Sequence, residues 1–107
     1  MDKTRMELLQ MLRRRGNMLK FIRQGHQAQM HKLDDYMMWE MMCDINNRMS
    51  RNSIITMLQD MSVLGWVNFQ TGWDDENERA ILSDIVLTAA GLTLVIRKQN
   101  TAEVLFD

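Results

Sequence analysis

The chain contains no proline, a single cysteine, Cys43, and only five glycines among its 107 residues. Without proline or a Gly/Ser-rich tract, nothing in it reads as a linker between domains. One cysteine cannot form an internal disulfide, and a reducing cytoplasm is the expected home. Long apolar runs are missing too. One of the longer uncharged stretches, Ile85 to Ile96, is interrupted by Thr88, Gly91 and Thr93, far short of the roughly 20 residues a membrane span needs. No membrane partner is expected. The N-terminus leads into an amphipathic pattern and not into the apolar block and cleavage site of a secretory signal. A phosphate-cradling glycine loop, zinc-finger spacing and a G-x-S-x-G elbow are likewise absent. The expectation is a protein that is not an enzyme, with no cofactor and no small-molecule substrate.

What is present is enough for one core. Apolar residues make up 46% and charged residues 25%, an ordinary globular balance for a single domain. The net charge of −1 conceals a polarity. Residues 1 to 33 hold eight basic side chains against two acidic ones, a net +6, and the rest hold five against twelve, a net −7. Such asymmetry fits either a polyanionic partner for the basic half or attraction between halves in the fold or in a dimer.

Leu8, Leu9 and Leu12 share a helical face, with Arg13, Arg14 and Arg15 in a last turn where positive charge suits the helix dipole. Gly16-Asn17 offers a stop, yet Leu19 and Ile22 continue the stripe, so two helices and one longer helix both fit. Residues 25 to 32 read as a polar connection. A second helix is expected from Leu33 through Met37, Met41 and Ile45, with Asp34 and Asp35 in its first turn. Asn46-Asn47 breaks it. Ser50 is placed to cap a third helix whose apolar side carries Ile54, Met57, Leu58, Met61 and Leu64. Its other side shows Asn52, Thr56, Gln59 and Val63, and Gly65 ends it. Trp66 to Gln70 and Ile81 to Leu87 alternate as strands around a polar hairpin tip, Thr71 to Glu78. Thr88 caps a final helix ending in Arg97-Lys98. The tail, residues 99 to 107, is either docked by Val104, Leu105 and Phe106 or disordered.

Two pieces of this pattern, Met49-Ser50-Arg51-Asn52-Ser53 through Leu64-Gly65-Trp66-Val67, and Ile85-Val86-Leu87-Thr88-Ala89-Ala90-Gly91-Leu92, resemble winged helix-turn-helix regulators of the ArsR-like and MarR-like kind. Within that class the chain looks most like small proteins of Mu-like phages and prophages. The resemblance covers about residues 33 to 96. It implies an α+β fold, mostly helical with a two-stranded β-hairpin wing, and divides the chain into an N-terminal helix region (1–24), a helix-turn-helix (33–65), a wing (66–87), a C-terminal helix (88–98) and a tail (99–107). It also implies a transcriptional regulator in the cytoplasm of a bacterial host, homodimeric through its terminal helices, with helix 50–64 contacting double-stranded DNA.

The residues suit that role unevenly. Asn52 and Gln59 can bond bidentately to adenine, Thr56 can touch a thymine methyl, and Arg48 and Arg51 stand where phosphate or guanine would be met. Arg13, Arg14 and Arg15 can supply further phosphate contacts, although three adjacent residues point different ways. The third helix itself carries no net charge, and the tip's Asp74, Asp75, Glu76 and Glu78 repel phosphate. The alternative is a winged helix used as a protein-interaction or assembly module. Trp73, Val63, Ile55, Leu105 and Phe106 are its candidate contacts, together with Trp66, which also suits a core.

Met37, Met38, Met41 and Met42 could in principle hold Cu(I), but that spacing is also what a core-facing stripe produces. His26 and His31 lie too far apart around a helix to clamp a metal. Cys43 reads as a small buried residue.

Overall fold

The computed structural model describes residues 3–29 and 32–106. Among them the chain is α+β, with four helices and one two-stranded antiparallel sheet. The order is α1 (Lys3–Gln27), α2 (Asp35–Asp44), α3 (Arg51–Val63), β1 (Val67–Asp74), β2 (Arg79–Leu87) and α4 (Ala89–Arg97).

With no proline to break it, α1 runs as one helix of 25 residues straight through Gly16. Gly16 is a notch and not a stop. The tail crosses α1 there, and a Cβ at Gly16 would collide with the Leu105 carbonyl oxygen. The Leu105 N–H donates to the Leu12 carbonyl at 3.1 Å. On either side of that bond Val104 and Phe106 are buried, so the tail is docked.

Asp34 is extended and accepts a hydrogen bond from the Met37 N–H at 2.8 Å, which starts α2 two residues after Leu33. Leu33, expected in the helix, instead belongs to the sheet's surroundings. Its carbonyl accepts from the Ile85 N–H at 3.0 Å. That N–H is turned outward by a bulge: Asn68 pairs with Val86 but Gln70 with Ser83, leaving an extra residue on β2 where Asp84 takes φ 50°. A bulge of this kind redirects a strand and releases ladder groups to other partners.

Ser50 and Thr88 cap α3 and α4 as their positions suggest, accepting from the Ser53 and Gly91 N–H groups. Gly65 closes α3 at φ 83°, a left-handed conformation that costs glycine little. The two separated motif pieces meet at one joint. The Thr88 hydroxyl donates to the Gly65 carbonyl at 2.6 Å, the Thr88 N–H donates to the Trp66 carbonyl at 3.0 Å, and Gly91 packs directly on the Trp66 backbone. The core lies between α1, α2, α3 and the sheet, where Leu19, Ile22, Met38, Leu58, Val67 and Leu82 are fully sealed.

Candidate nucleic-acid interface

Helix α3 turns Ile54, Leu58 and Met61 inward and leaves its other side open. Asn52, Thr56 and Gln59 are exposed there, and Val63, 88% exposed, ends the same stripe. Steps of four, three and four residues keep the four on one face. Ile55, expected beside Val63, is buried instead. Five apolar side chains in α3, Ile54, Ile55, Met57, Leu58 and Met61, bury a sector wider than a narrow stripe.

The arginine run divides as adjacent helix positions must: Arg13 is exposed, Arg14 half-buried and Arg15 buried. Arg14 reaches across to the turn before α3. Its Nε donates to Asn47 Oδ1 at 2.7 Å and its Nη2 donates to the Arg48 carbonyl at 3.2 Å. A groove of about 340 Å³ between α1 and α3 is lined by the polar side chains Arg14, Arg15, Asn52, Ser53, Thr56 and Asp60 together with Met11, Met49 and Met57. Arg48 is exposed. Gln59 shares the open face of α3 without lining the groove.

Two other candidate arginines serve the fold. Arg15 donates from Nη1 to the Glu103 carbonyl at 3.0 Å and to its carboxylate at 3.2 Å, while Nη2 lies 3.9 Å from Asp60. Its charge is neutralised inside the molecule. Arg51 Nη2 lies 3.7 Å from Asp35 Oδ1, and its guanidinium covers the Tyr36 ring at 4.9 Å. Asp35 is fully buried and also faces Arg79 Nη1 at 3.4 Å. This Asp35–Arg51–Arg79 cluster joins α2, α3 and the hairpin, and sequence reasoning saw in Asp35 only a dipole-compensating residue. The available signal was the Asp34-Asp35 pair: only one of two neighbours can cap the helix, so the other needs a different partner.

At the far end of the hairpin, Trp73 is 61% exposed, as are Asp75, Glu76 and Glu78 in the turn that follows it. Asp74 organises this tip, accepting from the Asn77 side-chain amide at 2.7 Å and from the Glu76 N–H at 3.1 Å. The Asn77 amide, chief among these contacts, holds the Asp74 carboxyl below its usual 3.8. Of the remaining protein-contact candidates, Phe106 is buried and Leu105 half-buried in the docked tail, so neither offers an open apolar surface. Trp66 is buried at the motif joint.

Met38 and Met42 are sealed in the core, with Met37 and Met41 packed against it. Cys43 is half-buried. His26 Nε2 lies 3.3 Å from the Ile85 carbonyl, and His31 falls outside the described residues. Among the described residues no group of His, Cys, Asp and Glu side chains is placed to hold a metal, and no helix is long and apolar enough to cross a membrane. No protein-family model matches the chain, and no curated protein or solved structure is significantly similar to it.

Proposed function

We propose that the chain is a small winged-helix DNA-binding protein, a transcriptional regulator of the phage and prophage type, that sets α3 against the major groove of duplex DNA. The observation that carries this reading is the α1–α3 groove, where Arg14 stands beside Asn52, Ser53 and Thr56. A cation held next to a face of amide and hydroxyl side chains is the pairing that DNA recognition uses, one contact positioning on phosphate and the others reading base edges. Arg14 and Arg48 supply the phosphate contacts; Asn52, Thr56 and Gln59 read bases. Arg13 adds charge on the exposed side of α1. The acidic hairpin tip stays off the duplex, because phosphate repels it. A homodimer through the projecting half of α1, where Met6 and Leu8 are exposed, presents two α3 helices to successive turns of one duplex.

The test is selection of bound sequences from a random duplex pool, followed by titration of the winners. Asn52→Ala and Gln59→Ala, both at exposed positions, are each expected to relax the preference at one base position, a change of about 1–3 kcal/mol in discrimination. Recovery of no preferred sequence would remove the regulator reading.

A second reading, an assembly module without sequence-specific DNA contact, is favoured by Val63 and Trp73, two large apolar side chains left open to solvent. It predicts a co-purifying protein complex that Trp73→Ala abolishes while the fold stays intact.

A further inference from the structure

A second groove lies between α1 and α4, away from α3. Its apolar wall is Leu87, Leu92 and Ile96, its polar wall Arg23 and His26, and its volume is about 440 Å³. It runs into a neighbouring depression lined by Lys20, Arg23 and Lys98. No carboxylate lines either one among the described residues. The pair therefore forms an apolar slot with a cationic rim. Leu92 and Ile96 are 40% and 56% exposed within it.

The same chain carries the complementary shape. At the end of the hairpin Trp73 is exposed, and the four carboxylates Asp74, Asp75, Glu76 and Glu78 follow it within five positions of the chain. The tip is already ordered by the Asp74 hydrogen bonds to Glu76 and Asn77, so little conformational freedom is lost when it docks. A tip cannot enter its own groove. Leu87, which lines the groove, and Arg79, at the tip, stand at opposite ends of β2, about 25 Å of strand apart. Arg79 is also tied to Asp35 of α2, which holds the tip where it is.

We propose that the hairpin tip of one copy docks in the α1–α4 groove of a second copy, with Trp73 against Leu92 and Ile96 and the tip carboxylates against Lys20, Arg23 and Lys98. The contact joins two different surfaces, so it is head-to-tail and propagates into rings or filaments. The Arg23 guanidinium stacks on the indole as well as pairing with a carboxylate. The surface of α3 stays uncovered, and the proposal stands whether or not the chain binds DNA.

The experiment is light-scattering mass across a concentration series at low salt, on the full chain and without nucleic acid. Wild type is expected to grow in mass with concentration and to shrink as salt screens the rim. Trp73→Ala, and separately Asp75→Lys with Glu76→Lys, are expected to weaken that growth by at least about 10-fold. Arg23→Glu does the same from the groove side. Circular dichroism on each variant confirms an unchanged helix content. The decisive step is mixing: Trp73→Ala retains a working groove and Arg23→Glu a working tip, so together they recover a complex that neither forms alone. Equal masses for wild type and all variants, or a mixture no larger than its components, would overturn the proposal.

Discussion

Gly16 carries a consequence that its position in mid-helix hides. Glycine inside a helix costs about 1 kcal/mol relative to alanine, so a substitution that restored a side chain would ordinarily stabilise. Here a Cβ meets the Leu105 carbonyl, a backbone atom that cannot swing aside. Gly16→Ala is therefore expected to destabilise by about 1–3 kcal/mol and to loosen the tail, read as a lower thermal midpoint and faster amide exchange at Leu105. Gly72, with open space around its Cβ position, is the control: Gly72→Ala should leave the midpoint nearly unchanged. Asp74 gives a residue-scale prediction in pH. Its folded carboxyl is depressed below 3.8, mainly by the Asn77 side-chain amide, so the order it lends the tip is fully present above pH 3.8 and is lost as pH falls through the folded value. The Asn77 side-chain amide resonances report the loss in an NMR titration. Asn77→Ala should raise the Asp74 midpoint back toward 3.8; an unmoved midpoint would show that another group sets it.

At the scale of elements, the buried Asp35 is what fixes α2, α3 and the hairpin to one another. Its carboxylate stands between two guanidiniums, Arg51 at 3.7 Å and Arg79 at 3.4 Å. Removing Asp35 leaves two partly buried guanidiniums without the carboxylate that compensates both. Asp35→Ala is thus expected to cost about 3–5 kcal/mol in denaturant unfolding. Arg51 also shows how far the sequence can be read. The element order, the Ser50 and Thr88 N-caps, the Gly65 terminus and the inward stripe of α3 as far as Met61 were legible, because each depends on a residue and its near neighbours in the chain; Leu64, expected on the same side, is exposed at the helix end. Arg51 as a DNA contact was a local reading of the same kind, and it missed Asp35, sixteen positions earlier. Leu33 and Ile55 were misjudged for the same reason, and at Gly16 the choice between a stop and one longer helix stayed open. A tail crossing the helix, a strand edge borrowed by a bulge, and a buried sector wider than one stripe are all set by contacts between elements. The open face of α3 was predictable from spacing alone; the presence of Arg14 beside it was not, since thirty-eight residues separate Arg14 from Asn52.

For the whole molecule, the charge polarity of the sequence becomes a division of surfaces. The basic first third forms α1, which lends Arg14 to the edge of α3 and lines the α1–α4 groove with Lys20 and Arg23. The acidic remainder collects its densest charge at the hairpin tip. A duplex approaching α3 therefore meets cations from another helix, and the tip opposes it. Reversing the tip charge with Asp75→Lys and Glu76→Lys should strengthen non-specific DNA binding, because the repulsion turns into phosphate attraction. Whether Arg14 and Arg48 meet phosphate is read from the salt dependence of duplex binding, measured by fluorescence anisotropy on wild type, Arg14→Ala and Arg48→Ala. Affinity is expected to fall linearly on a log–log plot, with the slope reduced by about 1 in each variant. A wild type that does not bind duplex at low salt, or slopes identical in all three proteins, would contradict that expectation.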